Sequence, residues 1–320
     1  MYDCFMEKLV YQMFILGIED IEEALKKGLG GVILFAKDIE SEPQLKSLIN
    51  KIKANSIISP FISIDQEGGR VERTEALRPK RLSAKYALEK GERFLQIQSA
   101  EISKELANWG FNLNFAPCID VNTNSENPII GERAFSSEPV QVIKGMNIFV
   151  SELRKNGVIP CVKHFPGHGD ANKDSHLTLP QICLSLEEME KNHIKPFKEA
   201  INNNIEMIMV AHLHCTCFDK EVIPSSLSKN VINYLRNSLG YSGVIISDDM
   251  VMKGVERYGT LEAVLMGIRA GLDMFIFRDS DKKTLEMIKS LVKIVESDDE
   301  LKERVLESNN RIAKLKKMYL

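Results

Sequence analysis

The sequence has no marked excess of charge of either sign and no long hydrophobic run. Its 320 residues include 42 Lys and Arg against 45 Asp and Glu, which gives a formal net charge of −3. Proteins that bind nucleic acid irrespective of its sequence need a surplus of cationic side chains. The apolar stretch at residues 9–18 is shorter than the roughly 20 residues that span a bilayer, and no later stretch does better. We therefore expect neither a nucleic-acid nor a membrane partner.

The sequence patterns of a signal peptide and of a disulfide framework are also missing. The N-terminal residues carry neither the basic region nor the apolar core of a secretory signal, and we expect a cytoplasmic protein. Six cysteines in a chain of this length do not have the spacing of a small secreted scaffold, and we predict reduced, mostly buried thiols. Hydrophobic residues make up 44% and charged residues 27% of the chain. This composition is typical of soluble globular proteins and excludes disordered, collagen-like and coiled-coil classes.

Eight short apolar runs, each followed by a helical pattern, organise the chain. They are rich in Val, Ile, Phe and Met and do not alternate strictly with polar residues, which is typical of strands buried on both faces of a parallel sheet. The runs lie at residues 12–17, 31–36, 61–65, 112–117, 158–164, 206–212, 243–248 and 273–277. Eight such units in 320 residues predict the α/β class and a single (β/α)8 barrel of the TIM type.

The competing architecture is a doubly wound open sheet. No G-x-G-x-x-G follows the first run, which weakens a dinucleotide-binding version of that fold. The chain also lacks a Pro/Ser/Gly-rich linker and low-complexity segments. We therefore expect residues 1–320 to form one catalytic barrel domain, with C-terminal helices from about residue 280.

Several helices have recognisable ends. Ser41, followed by Pro43, predicts the start of a helix near residues 45–53. Ser185 and Glu188 have the spacing of a capping box, which predicts a helix running towards residue 203. Longer helical patterns occupy residues 84–109 and 139–156, and the tail predicts two charged amphipathic helices divided near 297–299.

Polar residues collect where the predicted strands end, which is where barrels of this kind carry their active sites. The long segment at 165–184 has no clear periodicity, and a loop of this length in a compact domain is usually functional. Five of the six histidines fall in two short stretches, 164–176 and 212–214. Asp174 can fix the tautomer of His176, as an acid/base catalyst requires, although an Asp-x-His pair in a loop is often surface decoration.

Asp248 emerges from the seventh run, where a carboxylate can act as a nucleophile, a general base, a metal ligand or merely a helix cap. Its neighbour Asp249 should point elsewhere, because successive side chains of a strand face opposite ways. Cationic side chains near the same end can bind hydroxyl, carbonyl or phosphate groups or serve in ordinary salt bridges; these are Arg73, Arg133 and Lys163. Asp65 is a further candidate because a buried carboxylate needs partners.

These motifs resemble those of glycoside hydrolase family 3 β-N-acetylglucosaminidases. The matching segments are 65–71 (DQEGGRV), 114–121 (NFAPCIDV), 133–135 (RAF), 163–169 (KHFPGHG), 174–176 (DSH) and 247–250 (SDDM). Their order and spacing agree from about residue 10 to 275, which is nearly the whole predicted barrel. The likeness is strongest to the single-domain bacterial enzymes of peptidoglycan recycling.

The resemblance implies a role for each matching residue. Asp248 would be the nucleophile, and His176 the general acid and base with Asp174 as its partner. N-acetylglucosamine would be bound by Asp65, Arg73, Arg133, Lys163 and His164. The implied reaction is retaining double displacement on a small carbohydrate or a muropeptide such as N-acetylglucosaminyl-1,6-anhydro-N-acetylmuramic acid. It implies no cofactor or metal, and we expect a monomer or weak dimer whose 165–184 loop moves during turnover.

Three alternatives remain open at this point. The H-x-H-C-x-C string formed by His212, His214, Cys215 and Cys217, together with the other clustered His and Asp, is compatible with a metal-dependent barrel hydrolase of the amidohydrolase kind. A catalytically dead sugar-binding protein is a second alternative, against which the retained Asp and His speak. Phosphorolysis or a different glycoside specificity within the same family is a third.

Overall fold

A computed structural model shows eight parallel strands that close into a barrel, and it describes residues 2–171 and 179–320. The barrel strands follow one another around the ring in chain order, so the predicted α/β class and TIM-type barrel are confirmed. All eight lie within or overlap the predicted apolar runs. They are β1 (Phe14–Leu16), β2 (Gly31–Leu34), β3 (Phe61–Ile64), β4 (Leu113–Asn114), β5 (Ile159–Phe165), β7 (Met207–Val210), β9 (Val244–Asp249) and β10 (Met274–Phe277).

The strands form because their side chains are buried on both faces. Every residue of β1 and β10, which close the barrel, is buried. Phe14 pairs with Phe275 in the register of these strands, and their rings stack with centroids 5.7 Å apart. β5 runs further than its neighbours and carries Lys163 and His164 towards the barrel mouth.

Helices surround the barrel, and the predicted caps are present. The Ser41 hydroxyl accepts from the Gln44 N–H at 3.3 Å, and Ser185 forms the capping box with Glu188. The helices are α1 (Tyr2–Gln12), α2 (Glu22–Lys26), α3 (Glu42–Asn55), α4 (Ala84–Glu89), α5 (Glu92–Trp109), α6 (Pro139–Lys155), α7 (Leu186–Glu188), α8 (Lys195–Asn202), α9 (Lys229–Asn233), α10 (Lys253–Glu256), α11 (Thr260–Ala270), α12 (Lys282–Ser297) and α13 (Asp299–Tyr319).

Two helical patterns depart from expectation. The stretch 84–109, predicted as one helix, is two, because Gly91 between α4 and α5 has a φ of +111°, which a helix cannot continue. The helix that begins at Ser185 passes through a π-helical turn, Met189–His193, before α8. Both predictions had the right helical content and missed the interruption.

A two-stranded parallel sheet lies outside the barrel strands. Its members are β6 (Gln181–Ile182) and β8 (His214–Cys215), with Gln181 paired to His214. The segment 165–184, predicted to lack regular structure, therefore ends in a strand that joins it to the loop after β7. Asp174 and His176 lie outside the described residues.

Of the two C-terminal helices, α12 packs between α1 and α11, and α13 contacts the segment that leads into β1. Asp298 caps α13 by accepting from the Leu301 N–H at 3.1 Å, at the predicted division of the tail. Within α13, Asn309 donates to the carbonyl of Leu9 at 2.9 Å, and Lys316 donates to the Gln12 side chain at 2.9 Å. None of the helices in the described part of the chain is long and apolar enough to cross a membrane.

Candidate active site

A cavity of about 620 Å³ opens where the barrel strands end. This volume lies in the range of small-molecule sites, roughly 300–1,000 Å³. Six of the residues predicted from sequence line it together: Asp65, Arg73, Arg133, Lys163, His164 and Asp248. The strands and following loops that carry these residues are far apart in the chain, and they meet here because the carboxyl ends of the strands share one edge of the barrel.

Lys163 is buried between two carboxylates. Its Nζ lies 2.6 Å from Oδ1 of Asp65 and 2.6 Å from Oε1 of Glu67, and only 3% of its side chain is exposed. Burial opposes the ammonium charge, but Asp65 and Glu67 outweigh it and hold the pKa of Lys163 above its ordinary range. The lysine is therefore a fixed cation at the floor of the cavity.

Glu67 joins Lys163 to Arg133. The Arg133 guanidinium donates to both carboxylate oxygens, with Nε–Oε2 and Nη2–Oε1 distances of 2.9 Å each. Burial favours the neutral form of Glu67, yet Arg133 and Lys163 prevail and lower its pKa far below normal. Glu67 was part of the recognised motif but had no predicted role. An acidic side chain two residues beyond Asp65, among three predicted cations, was the available signal.

His164 is oriented by a second buried carboxylate. Its Nδ1 lies 2.7 Å from Oδ2 of Asp120, and Arg133 Nη2 lies 3.2 Å from its Nε2. A guanidinium can only donate, so Nε2 accepts and Nδ1 carries the proton that is given to Asp120. The two contacts fix the orientation of the imidazole and assign its proton to Nδ1.

Asp120 is fully buried and accepts several hydrogen bonds. The backbone N–H of His168 donates to it at 2.6 Å, and the N–H of His164 at 3.2 Å. Burial raises the pKa of Asp120, but His164 and His168 lower it more strongly, so the carboxyl is ionised. Sequence reasoning missed this residue as well, although it lay within the matching 114–121 segment.

Arg73 presents an unsatisfied donor near the cavity. Its backbone N–H donates to Gln66 Oε1 at 2.9 Å, and Gln66 is in turn hydrogen bonded to Glu72. The side-chain Nε of Arg73 is buried and has no partner within the described residues. A buried N–H without a partner costs free energy, so a hydroxyl or carbonyl oxygen of a bound molecule would be stabilised there.

Asp248 lines the cavity at the end of β9. Its Oδ1 accepts from the Asp249 N–H at 2.8 Å. Burial opposes its charge, but the hydrogen bond from the Asp249 N–H and the ammonium of Lys163 favour the carboxylate, and the pKa of Asp248 is lowered. The carboxylate is ionised and suited to nucleophilic attack.

Asp249 has a different environment from its neighbour. Its Oδ1 accepts from the N–H groups of Val251 at 3.1 Å and Arg278 at 3.3 Å, although Asp249, like Asp248, lines the cavity. Burial raises the pKa of Asp249 to about 6. Its carboxyl therefore holds the turn that follows β9.

The H-x-H-C-x-C string does not converge on a metal site. His212 bonds to Ser226 and to a backbone carbonyl, and His214 Nδ1 lies 3.3 Å from the carbonyl of Ile223. The Sγ atoms of Cys215 and Cys217 lie 3.4 Å apart. Within residues 2–171 and 179–320, the only group with metal-ligand spacing is Cys118, Asp120 and His164, whose ligand atoms already bond to one another.

Comparison with known proteins adds independent evidence. The sequence model of a protein family, the glycosyl hydrolase family 3 N-terminal domain, matches residues 6–315. Beta-hexosaminidase A of Pseudoalteromonas piscicida is 32% identical over an alignment of 317 residues that covers 90% of this chain and 53% of that protein. The beta-hexosaminidase of Methylococcus capsulatus is 31% identical over 284 residues, covering 86% of this chain and 83% of that protein.

A solved structure agrees with these relatives. The family 3 beta-N-acetylglucosaminidase of Paenibacillus sp. superposes with a TM-score of 0.90 at 29% identity, covering 97% of this chain and 62% of that one. The chain thus spans about half of the Pseudoalteromonas protein and under two thirds of the Paenibacillus one. Because the family model spans nearly the whole chain, the protein belongs to glycosyl hydrolase family 3, a family of glycoside hydrolases.

Proposed function

We propose that the protein is a retaining exo-β-N-acetylglucosaminidase. It removes a terminal, non-reducing β-linked N-acetylglucosamine by double displacement through a covalent glycosyl-enzyme. The catalytic unit is the barrel with its C-terminal helices, taken as one domain over residues 1–320. The reaction needs no cofactor or metal, and the protein is a monomer or weak dimer.

One observation carries this proposal: Asp248 and the five residues implied to bind the sugar line the same cavity. Asp65, Arg133, Lys163 and His164 form one connected polar network with Glu67 and Asp120. Such an array offers charged and polar groups that are already oriented, so a sugar can exchange its hydration for fixed partners at little cost in reorganisation. The relatives named beta-hexosaminidase support an N-acetylated hexosamine as the sugar.

In the proposed mechanism, the ionised Asp248 attacks the anomeric carbon and the C1–O bond to the aglycone breaks. The departing oxygen takes a proton from His176, and the sugar is held as an ester of Asp248. His176 then removes a proton from water, which attacks C1 and frees Asp248. Asp174 stabilises the imidazolium of His176 in both steps, and histidine suits the task because its ordinary pKa of ~6.5 lies near neutral pH.

The proposed physiological substrate is a muropeptide fragment, N-acetylglucosaminyl-1,6-anhydro-N-acetylmuramic acid with or without its peptide. We propose that the reaction takes place in the cytoplasm. The open cavity leaves space beyond the sugar site, where Phe35, Val251 and Met252 contribute apolar surface. An aglycone with apolar ring faces and methyl groups would contact this surface.

A panel of glycosides tests the substrate class. We expect kcat/KM for an aryl β-N-acetylglucosaminide to exceed that for the matched β-glucoside and β-xyloside by at least about 100-fold, because polar groups arranged for the acetamido group would be left unpaired by the others. The muropeptide should release N-acetylglucosamine at the same rate with and without phosphate. Preference for the glucoside would refute the sugar assignment, and a phosphate requirement would indicate a phosphorylase.

Leaving-group dependence tests the acid role of His176. With His176→Ala, we expect turnover of an alkyl or muropeptide substrate to fall by about 10²–10⁴-fold, the usual contribution of general acid catalysis. An aryl substrate whose leaving group has a low pKa should lose far less, because it departs without a proton. The matched control is His214→Ala, which changes a histidine outside the cavity lining. Equal losses on both substrates would contradict the acid role.

A further inference from the structure

His212 bridges two adjacent barrel strands beside the cavity. It lies two residues beyond β7, it is 3% exposed, and it lines the same cavity as Asp248. Its Nδ1 lies 2.6 Å from Oγ of Ser226, and its Nε2 lies 3.2 Å from the carbonyl oxygen of Asp249. The imidazole therefore joins the end of β7 to the end of β9.

The partners of His212 define its protonation. A carbonyl oxygen can only accept, so Nε2 carries a proton and donates it to Asp249. Nδ1 is then the acceptor for the hydroxyl of Ser226, which is itself fully buried. Burial also lowers the pKa of His212, in keeping with a neutral ring.

Asp249 passes this constraint to Asp248. The Asp249 carbonyl accepts from His212 at 3.2 Å and from the Met252 N–H at 3.0 Å, and the Asp249 N–H donates to Oδ1 of Asp248 at 2.8 Å. Because both of its backbone polar groups are hydrogen bonded, Asp249 has little freedom to rotate. Its N–H, donated to Oδ1, in turn holds the rotamer of Asp248.

The segment after Asp249 also packs against His212. A methyl group added at Gly254 would come within 2.9 Å of the His212 Cβ, so α10 packs in direct contact with this histidine. The absence of a side chain at residue 254 lets the helix approach. His212 thus supports the turn after β9 both through a hydrogen bond and through packing.

We propose that His212 is a positioning residue that sets the attacking geometry of Asp248 through the backbone of Asp249, with Ser226 fixing its tautomer. This inference rests on the proposed function, in which Asp248 is the nucleophile. A nucleophile must sit about 3–3.5 Å from the reacting carbon and in line with it, and a misplacement of about 1 Å can cost 10²-fold in rate.

Two substitutions at residue 212 separate the hydrogen bond from the rest of the side chain. In His212→Gln, the amide nitrogen can occupy the place of Nε2 and still donate to Asp249. In His212→Asn, the shorter amide reaches only the place of Nδ1, so it keeps the contact with Ser226 and loses the one with Asp249. The pair is matched in polarity and neutral in charge.

The measurements are kcat/KM for an aryl β-N-acetylglucosaminide and the Ki of N-acetylglucosamine, on protein whose fold is checked by thermal melting. We expect His212→Asn to lower kcat/KM by about 100-fold and His212→Gln by less than about tenfold. Neither variant should change Ki more than about threefold, because an interaction that acts only in the transition state leaves ground-state binding alone. Equal losses in the two variants, or a Ki that rises as kcat/KM falls, would overturn the proposal and indicate a direct sugar contact.

Ser226→Ala provides a second route if the Asn variant does not fold. Ser226 is outside the cavity lining, and its hydroxyl contacts His212, which does line the cavity. Loss of one hydrogen bond of about 1 kcal/mol predicts a kcat/KM about fivefold lower with Ki unchanged. An unchanged kcat/KM would overturn the proposal that Ser226 acts on Asp248 through His212.

The proposed function fails separately from this inference. If the wild-type protein hydrolyses another glycoside better, the same three variants are compared on that glycoside, with the sugar it releases as inhibitor. If His212→Gln and His212→Asn have the same kcat/KM on that glycoside, only the positioning role of His212 is refuted. A wild-type protein inactive on every glycoside refutes both.

Discussion

Asp248→Ala is expected to reduce the turnover of an aryl β-N-acetylglucosaminide by at least about 10³-fold, because loss of an activated nucleophile removes the covalent route altogether. Asp248 is ionised, lines the cavity, and accepts a hydrogen bond from the Asp249 N–H. Its removal therefore takes away the attacking group and leaves most of the surrounding network in place. Thermal melting should show a folded protein.

Azide gives this variant a positive readout. A small anion can enter the space left by the carboxylate and attack the anomeric carbon from the same side. An aryl substrate with a good leaving group would then yield an α-glycosyl azide and the free phenol, detectable by mass spectrometry and NMR. Rescue with this stereochemistry identifies Asp248 as the nucleophile of a retaining mechanism.

Asp279→Ala is the matched control. Its carboxylate lies near the same end of the barrel, 3.9 Å from the Arg278 guanidinium, and is half exposed. We expect its rates to stay within about twofold of wild type, as for most surface substitutions. Near-wild-type rates in Asp248→Ala, or equal losses in both variants, would show that the nucleophile lies elsewhere.

The position of Asp248 could be predicted from sequence for a simple physical reason. Parallel strands buried on both faces appear as apolar runs, and a carboxylate at the end of such a run must emerge at the barrel mouth. The same reasoning predicted that Asp65, Lys163 and His164 lie at this edge of the barrel. The roles of Asp174 and His176 stay predictions, since these residues lie outside the described part of the chain.

The partners of those residues could not be predicted in the same way. Glu67 contacts Arg133, which is 66 positions away, and Asp120 contacts His164, which is 44 positions away. No local pattern specifies which carboxylate will face which cation after the barrel closes. β6 and β8 were missed for a related reason, because each has two residues and lies outside the apolar runs, which leaves no periodicity to detect.

Glu67→Gln is expected to lower both stability and activity. Glu67 is 4% exposed and holds two cations, Lys163 at 2.6 Å and Arg133 at 2.9 Å. The amide keeps the shape but removes the charge, so Lys163 keeps its ion pair with Asp65 while Arg133 loses the carboxylate that it contacts. Breaking a buried ion pair typically costs about 3–5 kcal/mol, and we expect a loss of that order in the free energy of unfolding measured with urea.

The pH dependence of the free energy of unfolding shows whether the ionised form of Glu67 is the stabilising one. The pKa of Glu67 is depressed in the folded protein, so its ionisation stabilises the fold at pH values above its ordinary pKa of 4.5. That contribution is lost as the pH falls from there towards the folded-state pKa. The difference between wild type and Glu67→Gln should therefore be constant at neutral pH and narrow below about pH 4.5. A difference that widened on acidification would contradict the assignment.

Glu75→Gln makes the same chemical change at an exposed position of the same loop. It should alter the free energy of unfolding by no more than about 0.5 kcal/mol. In Glu67→Gln, kcat/KM should fall by about 10²-fold, because Lys163 and Arg133 lose the group that holds them in place at the cavity floor. An effect on activity without any effect on stability would instead make Glu67 a sugar contact.

A double variant decides whether Glu67 acts through its cations. Lys163→Met removes one of them, and Lys163→Met with Glu67→Gln removes the pair. If the two side chains act as a unit, the double variant should lose less stability than the two single variants added together, with a coupling of about 1–3 kcal/mol. Strict additivity would mean that Glu67 and Lys163 stabilise the barrel independently, and that the network at the cavity floor is a set of separate contacts.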